Sequence, residues 1–227
     1  MSADATLTAR ARDFVLASSL ATYPDAELPG IVADAATAAH AAASAMHAAL
    51  EAQPGQAGLV NLQSRYVELF DRGGQRASLY ETEYGRMRGM SKGRDLADIG
   101  GFYKAFGLTQ EESHHEMLDH IAVELEFYGV LLLKQAALVL RGDEEGIAVV
   151  EDARRKFLAE HLGGLAGAVT ARKEVAADPV YASVFAWCGQ LVAAECQALG
   201  VKAAPLDFFP DDENAKDMSC GLLPAAR

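Results

Sequence analysis

Several features are absent from this sequence of 227 residues, and each absence excludes a class of protein. The longest strongly apolar stretch covers residues 130–133, far short of the roughly 18 apolar residues that a membrane span requires. The first residues have neither a basic start nor an uninterrupted apolar stretch, so we do not expect a secretory signal. We therefore expect a cytoplasmic protein without stable membrane insertion.

Cysteine is scarce, and the common enzyme signatures are missing. Cys188, Cys196 and Cys220 form no CxxC pair, so reduced thiols in the core or the tail are expected rather than a disulfide or a zinc site. The sequence contains no Gly-x-Ser-x-Gly elbow, no phosphate-binding loop and no dinucleotide glycine fingerprint.

Basic residues are outnumbered by acidic ones. The chain has 20 lysines and arginines against 32 aspartates and glutamates, which gives a formal net charge of -12. Such a chain repels phosphate backbones and attracts basic partners, so nucleic acid is not an expected partner. Hydrophobic residues make up 51% of the sequence, which is typical of a folded globular protein rather than a disordered one.

The alternating β-branched runs that would indicate strands are also absent, whereas helical spacing is frequent. The clearest pattern predicts a helix over residues 121–139, and Asp143 and Asp178 stand where helix caps are expected. Alanine dominates residues 31–50, which predicts one closely packed helix there. Thr8 is the predicted cap of the first helix.

Irregular segments separate the predicted helices. Residues 76–93 have irregular spacing and predict an ordered loop, of a length that is often functional. Gly163 and Gly164 are expected to interrupt or loosen a helix. The whole pattern predicts an all-α, single-domain helical bundle of about seven or eight helices within residues 1–200, followed by an irregular C-terminal tail at 201–227. Three apolar residues are expected to dock the tail on the core: Leu206, Phe208 and Phe209.

The densest group of potential ligands surrounds the start of the clearest helix. If that helix starts at Asp119, then His120 and Glu124 lie one turn apart on one face, a spacing at which they can share a metal ion. No HExxH pattern and no second Glu-x-x-His helix completes such a site. A metal-dependent hydrolase or oxidase that uses His115, His120 and Glu124 is nevertheless one alternative function of the chain. A structural helical adaptor, which would bind a folded partner protein, is another. The whole group is His114, His115, Glu116, Asp119, His120, Glu124 and Glu126.

A simpler interpretation of the same group is structural. Asp119 would cap the helix, and His120 would form a hydrogen bond near its start. Glu124 fits this interpretation less well because it lies beside the main apolar stripe, where an unpaired carboxylate is unfavourable. Two expectations for Glu124 therefore stay open: it is solvated, like Glu126, or it has a functional or structural pairing partner.

A second group combines aromatic and acidic residues around the end of another predicted helix. Aromatic rings and carboxylates together can bind an extended peptide that has basic and apolar parts, because carboxylates pair with arginine and rings supply contact area. Alternatively, the tyrosines anchor a long loop to the core. The group is Tyr66, Glu68, Phe70, Ser78, Tyr80, Glu81, Glu83 and Tyr84.

Three segments together resemble the TorD/DmsD/NarJ family of redox-enzyme maturation chaperones, in their order and separation as well as in sequence. They are YVELF at 66–70, SLYETEY at 78–84, and DHI at 119–121 followed by ELEF at 124–127. The resemblance covers roughly residues 10–200, and the DHI and ELEF pair is its more specific motif. The HL pair at 161–162 also looks like the family's next helix, although the tryptophan often found after it is absent.

The resemblance implies an all-helical chaperone that catalyses nothing and has no cofactor of its own. Such chaperones bind the twin-arginine leader, or another N-terminal segment, of a molybdopterin-containing catalytic subunit until its cofactor is inserted. An acidic protein suits a basic Arg-Arg leader. Members of the family are monomers or exchange helices to form dimers, so a homodimer is one of two expected states.

One departure from the pattern points to a branch of the family. Asp71-Arg72-Gly73 follows Phe70, where the trimethylamine-oxide and dimethyl-sulfoxide branches have Gly-Pro and further prolines. The sequence is more similar to the nitrate reductase branch, or to the related chaperones of dimethylsulfide, selenate, chlorate and ethylbenzene dehydrogenases.

The resemblance also suggests which residues bind the leader. Asp119 and His120 would belong to the binding surface, with the loop ending at Tyr84 nearby and Glu124 in support. Together with the aromatic and acidic group, the predicted peptide-binding residues are Asp119, His120, Glu124, Tyr84, Tyr80, Glu83 and Glu68.

Overall fold

The fold is all-α in the part of the chain that the computed structural model describes. These residues are 2–37, 41–53, 55–71, 77–85, 88–109 and 116–206. The helices are α1 (Ala3–Ala21), α2 (Leu28–Thr37), α3 (Ala41–Glu51), α4 (Gln56–Tyr66), α5 (Arg88–Ala105), α6 (Ile121–Arg141), α7 (Glu144–Phe157), α8 (Gly163–Ala171), α9 (Lys173–Ala176) and α10 (Tyr181–Leu199). The prediction of an all-α, single-domain bundle of about seven or eight helices is confirmed.

Helix α6 lies at the centre of the bundle. Its apolar surface is wide, because residues on several of its faces are buried, including Leu125, Phe127 and Leu131. Helix α1 packs along it, and a Cβ atom at Gly129 would lie 3.3 Å from the carbonyl oxygen of Ala11, so glycine permits this close approach. Helix α7 packs on α6 as well, while α10 contacts α1, α3 and α8.

Several predicted helix ends are confirmed. The side chain of Asp143 accepts a hydrogen bond from the backbone N–H of Gly146 at 2.9 Å and caps α7. Asp178 accepts from the N–H groups of Val180 and Tyr181, both at 2.9 Å, and so caps α10. At the other end of α10, Gly200 has φ 65°, the left-handed conformation expected of a helix stop.

Thr8 does not cap the first helix, which begins at Ala3. The Thr8 hydroxyl donates instead to the carbonyl oxygen of Asp4, one turn back along the same helix, at 2.9 Å. A threonine inside a helix often bonds in this way, so the capping prediction mistook an interior position for an end.

Two other segment predictions were wrong in their extent. Residues 31–50 do not form one helix, because α2 and α3 pack against each other instead of continuing along one axis. Residues 76–93 are not one loop either, because α5 begins at Arg88. Alanine content and irregular spacing therefore distinguish a helix from a loop more reliably than they locate the boundaries of either.

Gly163 and Gly164 do not interrupt a helix, but the helix is loosened directly before them. A π-helical turn, Leu158–Leu162, joins α7 to α8 in one continuous run. A Cβ atom at Gly164 would lie only 2.4 Å from the carbonyl oxygen of Ala204, so the glycine provides space for the chain that follows α10. The backbone N–H of Ala204 donates to the carbonyl oxygen of Ala159 in the π turn at 2.9 Å.

The described start of the tail, residues 201–206, has no regular structure, and Leu206 packs against the core. Phe208 and Phe209 lie outside the described residues, as does Cys220. Cys188 is buried and Cys196 is half-buried, and both are free thiols.

None of the helices in the described ranges combines the length and the apolar character that crossing a bilayer demands.

A buried arginine joins three helices in the middle of the bundle. Arg154 of α7 is 2% exposed and donates hydrogen bonds to Tyr128 at 3.2 Å, to Glu195 at 2.5 Å and to Gln135. Arg10 of α1 donates to the other oxygen of Glu195 at 2.6 Å. These five residues are called the arginine cluster below.

Candidate functional site

The segment before α6 pairs with a distant loop. Tyr80 and His120 form an isolated antiparallel β-bridge. The N–H of Ile121 donates to Leu79 at 2.8 Å, and the N–H of Glu81 donates to Asp119 at 2.9 Å, in both cases to the carbonyl oxygen. This pairing fixes the loop on the start of α6 and brings two of the sequence motifs together.

His120, rather than Asp119, caps α6. The helix begins at Ile121, and the Nδ1 atom of His120 accepts a hydrogen bond from the backbone N–H of Ala122 at 3.1 Å. A ring nitrogen that accepts carries no proton, so the neutral ring holds its proton on Nε2. That atom lies 3.3 Å from the hydroxyl oxygen of Tyr66 and 3.9 Å from a carboxylate oxygen of Glu116.

Asp119 holds the loop instead. Its carboxylate is fully buried, and Oδ2 accepts hydrogen bonds from the N–H of Thr82 at 3.0 Å and from its hydroxyl at 2.6 Å. Thr82 lies in the short 3-10 turn Glu81–Glu83. Asp119 therefore positions this turn through its two hydrogen bonds to Thr82. Capping was predicted because aspartate is common at helix ends, but here the neighbouring imidazole takes that position.

Glu124 is completely buried, and its neighbour is Glu81. Burial raises the pKa of Glu124 well above its ordinary value, and the charge and hydrogen-bonding capacity of Glu81 raise the pKa further, followed by the charge of Asp119. Neither oxygen of Glu124 has a hydrogen bond of ordinary length to the described residues. The protonated form of Glu124 is therefore favoured, and the residue shares a buried space with two other carboxyl groups.

His161 lies between Glu81 and Asp98. Its Nδ1 atom is 3.1 Å from a carboxylate oxygen of Glu81, and its Nε2 atom is 3.2 Å from one of Asp98. Burial lowers the pKa of His161, but the hydrogen bonds and charges of the two carboxylates outweigh burial, and the pKa is raised. The residues Glu81, Asp98, Asp119, Glu124 and His161 are called the carboxylate cluster below.

Aromatic side chains and carboxylates line a small pocket beside His120. The Tyr80 hydroxyl donates to Glu116 at 2.5 Å, and the Tyr80 and His120 rings meet edge to face with centroids 5.0 Å apart. Burial, and next the hydrogen bond to Glu116, raise the pKa of Tyr80, so it stays protonated. This tyrosine pocket has a volume of about 90 Å³ and is lined by Tyr23, Tyr66, Phe70, Asp71, Leu79, Tyr80, Glu116 and His120.

A larger apolar groove lies between α5 and α6. Tyr103 forms part of it, and its hydroxyl donates to the carbonyl oxygen of Leu118 at 2.8 Å. The apolar groove has a volume of about 450 Å³ and is lined by Gly100, Tyr103, Lys104, Leu108, Thr109, Leu118, Val123, Glu126, Phe127 and Val130.

The sequence of the chain is also similar to sequences of known proteins. Residues 32–171 match the family model described as nitrate reductase delta subunit. A selenate reductase assembly chaperone protein of Thauera selenatis is 36% identical over 150 residues, which are 64% of this chain and 74% of that protein. A chlorate reductase assembly chaperone protein of Ideonella dechloratans is 33% identical over 63% of this chain and 72% of that protein.

The chain belongs to the TorD/DmsD/NarJ family of redox-enzyme maturation chaperones. A dimethyl sulfide dehydrogenase assembly chaperone protein of Rhodovulum sulfidophilum also matches, at 34% identity over 49% of this chain and 46% of that protein. The similarity to the nitrate reductase branch and its selenate, chlorate and dimethylsulfide relatives is thereby confirmed. Its role is that of an assembly chaperone and not of an enzyme.

The remaining residues predicted to bind peptide occupy different positions in this chaperone. Tyr84 is 4% exposed and donates to the carbonyl oxygen of Ser78 at 2.7 Å, so it anchors the loop, as the alternative interpretation expected. Glu83 lies at the surface and pairs with Lys92 at 2.9 Å. Glu68 is exposed and lines a separate groove of about 510 Å³ with Arg65 and other residues.

The metal site suggested around His120 does not form among the described residues. The Nδ1 atom of His120 is used by the helix cap, and Glu124 faces Glu81 rather than His120. His114 and His115 lie outside the described residues. Within the ranges that the structure covers, the group whose ligand atoms lie within 4.8 Å of one another is Asp98, Glu160 and His161.

Sequence reasoning missed His161 and the role of Glu81. Nothing in the local pattern around His161 indicates that it meets a loop 80 residues earlier. Glu116 was noticed only as a potential metal ligand. For His161, the available signal was the HL pair at 161–162, which resembles the family's next helix.

Proposed function

We propose that this chaperone binds the leader, or another N-terminal segment, of a molybdopterin-containing catalytic subunit. The complex forms in the cytoplasm and holds the subunit for cofactor insertion and assembly, before twin-arginine export. Three matching relatives are named as assembly chaperones of selenate reductase, chlorate reductase and dimethyl sulfide dehydrogenase, which supports a client of this kind. The net charge of -12 suits a client segment that is basic.

The tyrosine pocket is the observation that carries this proposal. It has the volume of a side-chain end rather than of a larger ligand, about 90 Å³. Its carboxylates, Glu116 and Asp71, suit a guanidinium group, which forms charge-assisted hydrogen bonds and stacks on aromatic rings. Tyr80 and Tyr66 provide such rings. The pocket therefore fits the end of one arginine side chain.

The apolar groove suits the hydrophobic part of the same segment. Glu116 lines the tyrosine pocket and Leu118 lines the apolar groove, so the two cavities flank one short stretch of chain. Two residues of extended peptide span roughly 7 Å, so a short extended segment is long enough to reach both cavities. The tyrosine pocket would take an arginine, and the apolar groove would take the apolar side chains next to it. Recognition would therefore be specific for a leader that has both features.

The predicted peptide-binding residues then take different roles. Tyr80 and His120 line the tyrosine pocket and would contact the peptide. Asp119 and Glu124 are buried, so they would support the site by positioning the Glu81–Glu83 turn and the start of α6. Glu83, Glu68 and Tyr84 remain predictions as contact residues.

Calorimetric titration tests the proposal. The probe is a synthetic leader peptide of the molybdoenzyme catalytic subunit encoded beside this chain, and binding is expected to weaken as salt rises. Glu116→Gln removes one of the two carboxylates of the tyrosine pocket. Since a hydrogen bond to a charged group contributes about 1.5–3 kcal/mol, the variant should bind roughly 10- to 100-fold more weakly.

Glu51→Gln is the matched control, because Glu51 is exposed at the end of α3 and lies in neither cavity. It should bind the leader as the unmodified protein does. Absence of binding to both the leader and the intact catalytic subunit would refute the proposed function. Equal loss of affinity in both variants would show a general charge effect instead of a pocket for arginine.

A further inference from the structure

We propose that Asp98, Glu160 and His161 form a binding site for a divalent transition-metal ion of the zinc class. One ligand atom from each of the three residues lies within 4.8 Å of the other two. Asp98 comes from α5, whereas Glu160 and His161 are consecutive in the π-helical turn between α7 and α8. Such turns are rare within helices and often occur at functional sites.

The histidine is oriented as metal-binding histidines usually are. A histidine ligand typically gives its second ring N–H to a carboxylate, which fixes the ring and makes the ligating nitrogen more basic. Here Glu81, which is 8% exposed, holds Nδ1 of His161 at 3.1 Å. This leaves Nε2 directed at the two surface carboxylates, 3.2 Å from Asp98. The site is therefore more than a group of acidic residues, because it has an oriented imidazole with an outer carboxylate.

The surroundings suit a partly open site. His161 is buried and held between the rings of Phe102 and Phe157, with centroids 5.6 and 5.4 Å away. Asp98 and Glu160 are exposed, so their carboxylates can adjust to an ion without moving the backbone. Three protein ligands of this kind leave a coordination position for water or for a ligand from a partner. One imidazole with carboxylates suits zinc and similar ions better than calcium or magnesium.

A competing interpretation is an ion pair without metal. A protonated His161 would then join Glu81 and Asp98 through hydrogen bonds alone, and Glu160 would have no part in the cluster. In the metal site Glu160 is a ligand, whereas in the ion pair it has no part. Only the metal site predicts that zinc binds and stabilises the protein. Neither depends on leader binding, so the metal site and the proposed function can fail separately.

Titration of the full-length chain with Zn²⁺ alone, after removal of metal with a chelator, tests the site. We expect one zinc ion per chain and a higher melting temperature when zinc is bound. Asp98→Asn and Glu160→Gln alter exposed side chains, so both variants should fold. Their combination should abolish stoichiometric binding. Glu81→Gln should weaken binding by about 10- to 100-fold, as expected on loss of an outer carboxylate.

Asp152→Asn is the control, because Asp152 is an exposed carboxylate of α7 that pairs with Lys156 away from the cluster. This variant should bind zinc unchanged. Absence of stoichiometric binding to the unmodified chain would overturn the proposal, and so would binding that persists in the Asp98→Asn, Glu160→Gln double variant. Co²⁺ provides a second measurement. A thiolate charge-transfer band would assign the ion to cysteine and also overturn the proposal.

Discussion

Helix α6 takes part in two buried polar clusters, and they differ in how their charges are balanced. In the arginine cluster, Arg154 faces Glu195 directly, and every buried side-chain atom of the cluster has a hydrogen-bond partner. In the carboxylate cluster, three carboxyl groups are buried, and of these only Glu81 has a hydrogen bond to the imidazole of His161 among the described residues. Three oxygens there, Oδ1 of Asp119 and both of Glu124, have no hydrogen-bond partner among the described residues.

The difference indicates different tasks. A buried arginine with satisfied hydrogen bonds holds helices in register, and it needs nothing from outside the fold. Buried polar atoms without partners raise the free energy of the folded state and are uncommon unless a site has another task. The carboxylate cluster lies directly beneath the turn that carries Tyr80 to the tyrosine pocket. The comparison therefore separates a part of the core that stabilises the bundle from a part that supports a site.

Replacement of Arg154 should have the largest effect. Arg154→Met removes the guanidinium and leaves Glu195 buried with Arg10 as its remaining cationic partner. Breaking a buried ion pair in this way is expected to lower the free energy of unfolding by about 3–5 kcal/mol. Urea denaturation measures the change.

The matched control is the double variant Arg154→Met, Glu195→Gln, which removes the stranded charge as well. It should regain part of the lost stability, because a neutral pair is easier to bury than a lone carboxylate. A decrease of less than about 1 kcal/mol in the free energy of unfolding on Arg154→Met would mean that the arginine cluster stabilises the fold no more than an ordinary surface ion pair does. The arginine cluster would then not be the stabilising part of the core.

The sequence predicts the helices that contribute to the arginine cluster but not the cluster itself. The spacing of apolar residues identifies α6, and Asp143 and Asp178 mark the starts of α7 and α10 because capping is local chemistry. The burial of Arg154 has no local signal, since arginine is usually exposed and its partners come from other helices. Local patterns specify helices, whereas long-range pairing specifies which polar groups are buried together.

The same limit applies to the candidate site. The motifs around Tyr80 and Asp119 were recognised, but the bridge between Tyr80 and His120 joins segments that only the fold brings together. For this reason the role of Asp119 was assigned incorrectly, whereas the expected hydrogen bond of His120 near the helix start is confirmed. An aspartate beside a helix start is a common cap, and only the position of Thr82 shows that Asp119 is directed elsewhere.

Replacement of Asp119 should have an intermediate effect. Asp119→Ala leaves the N–H and the hydroxyl of Thr82 without their acceptor, which is expected to destabilise the fold by about 2 kcal/mol. Removal of a negative charge near Glu81 and Glu124 offsets part of that loss. Thermal unfolding measures stability, and titration with the leader peptide measures whether the Glu81–Glu83 turn still presents Tyr80.

Thr82→Val is the companion variant, because it keeps the Asp119 charge and the backbone hydrogen bond but removes the hydroxyl. If Asp119 acts by positioning the turn, both variants should weaken leader binding in proportion to the hydrogen bonds lost. Should Asp119→Ala weaken binding while Thr82→Val leaves it unchanged, Asp119 would have to contact the peptide directly, in a conformation different from this one.

Replacement of Glu124 should have the smallest effect at low pH and the most informative dependence on pH. Below pH 4.5 Glu124 carries its proton in both the folded and the unfolded chain, so the isosteric change Glu124→Gln should alter stability there by less than about 1 kcal/mol. The folded pKa lies above the ordinary value of 4.5. The unfolded chain therefore releases its proton first as pH rises, and stability falls between 4.5 and the folded pKa.

The glutamine variant lacks this titration. Its stability relative to the unmodified chain should therefore improve steadily as pH rises above 4.5, and the two should differ least at lower pH, where both states of Glu124 carry the proton. Chemical denaturation across a pH series measures this difference. If the relative stability of the glutamine variant instead falls as pH rises, Glu124 is ionised and paired in the folded chain. The carboxylate cluster would then resemble the arginine cluster, and the contrast between the two buried regions would disappear.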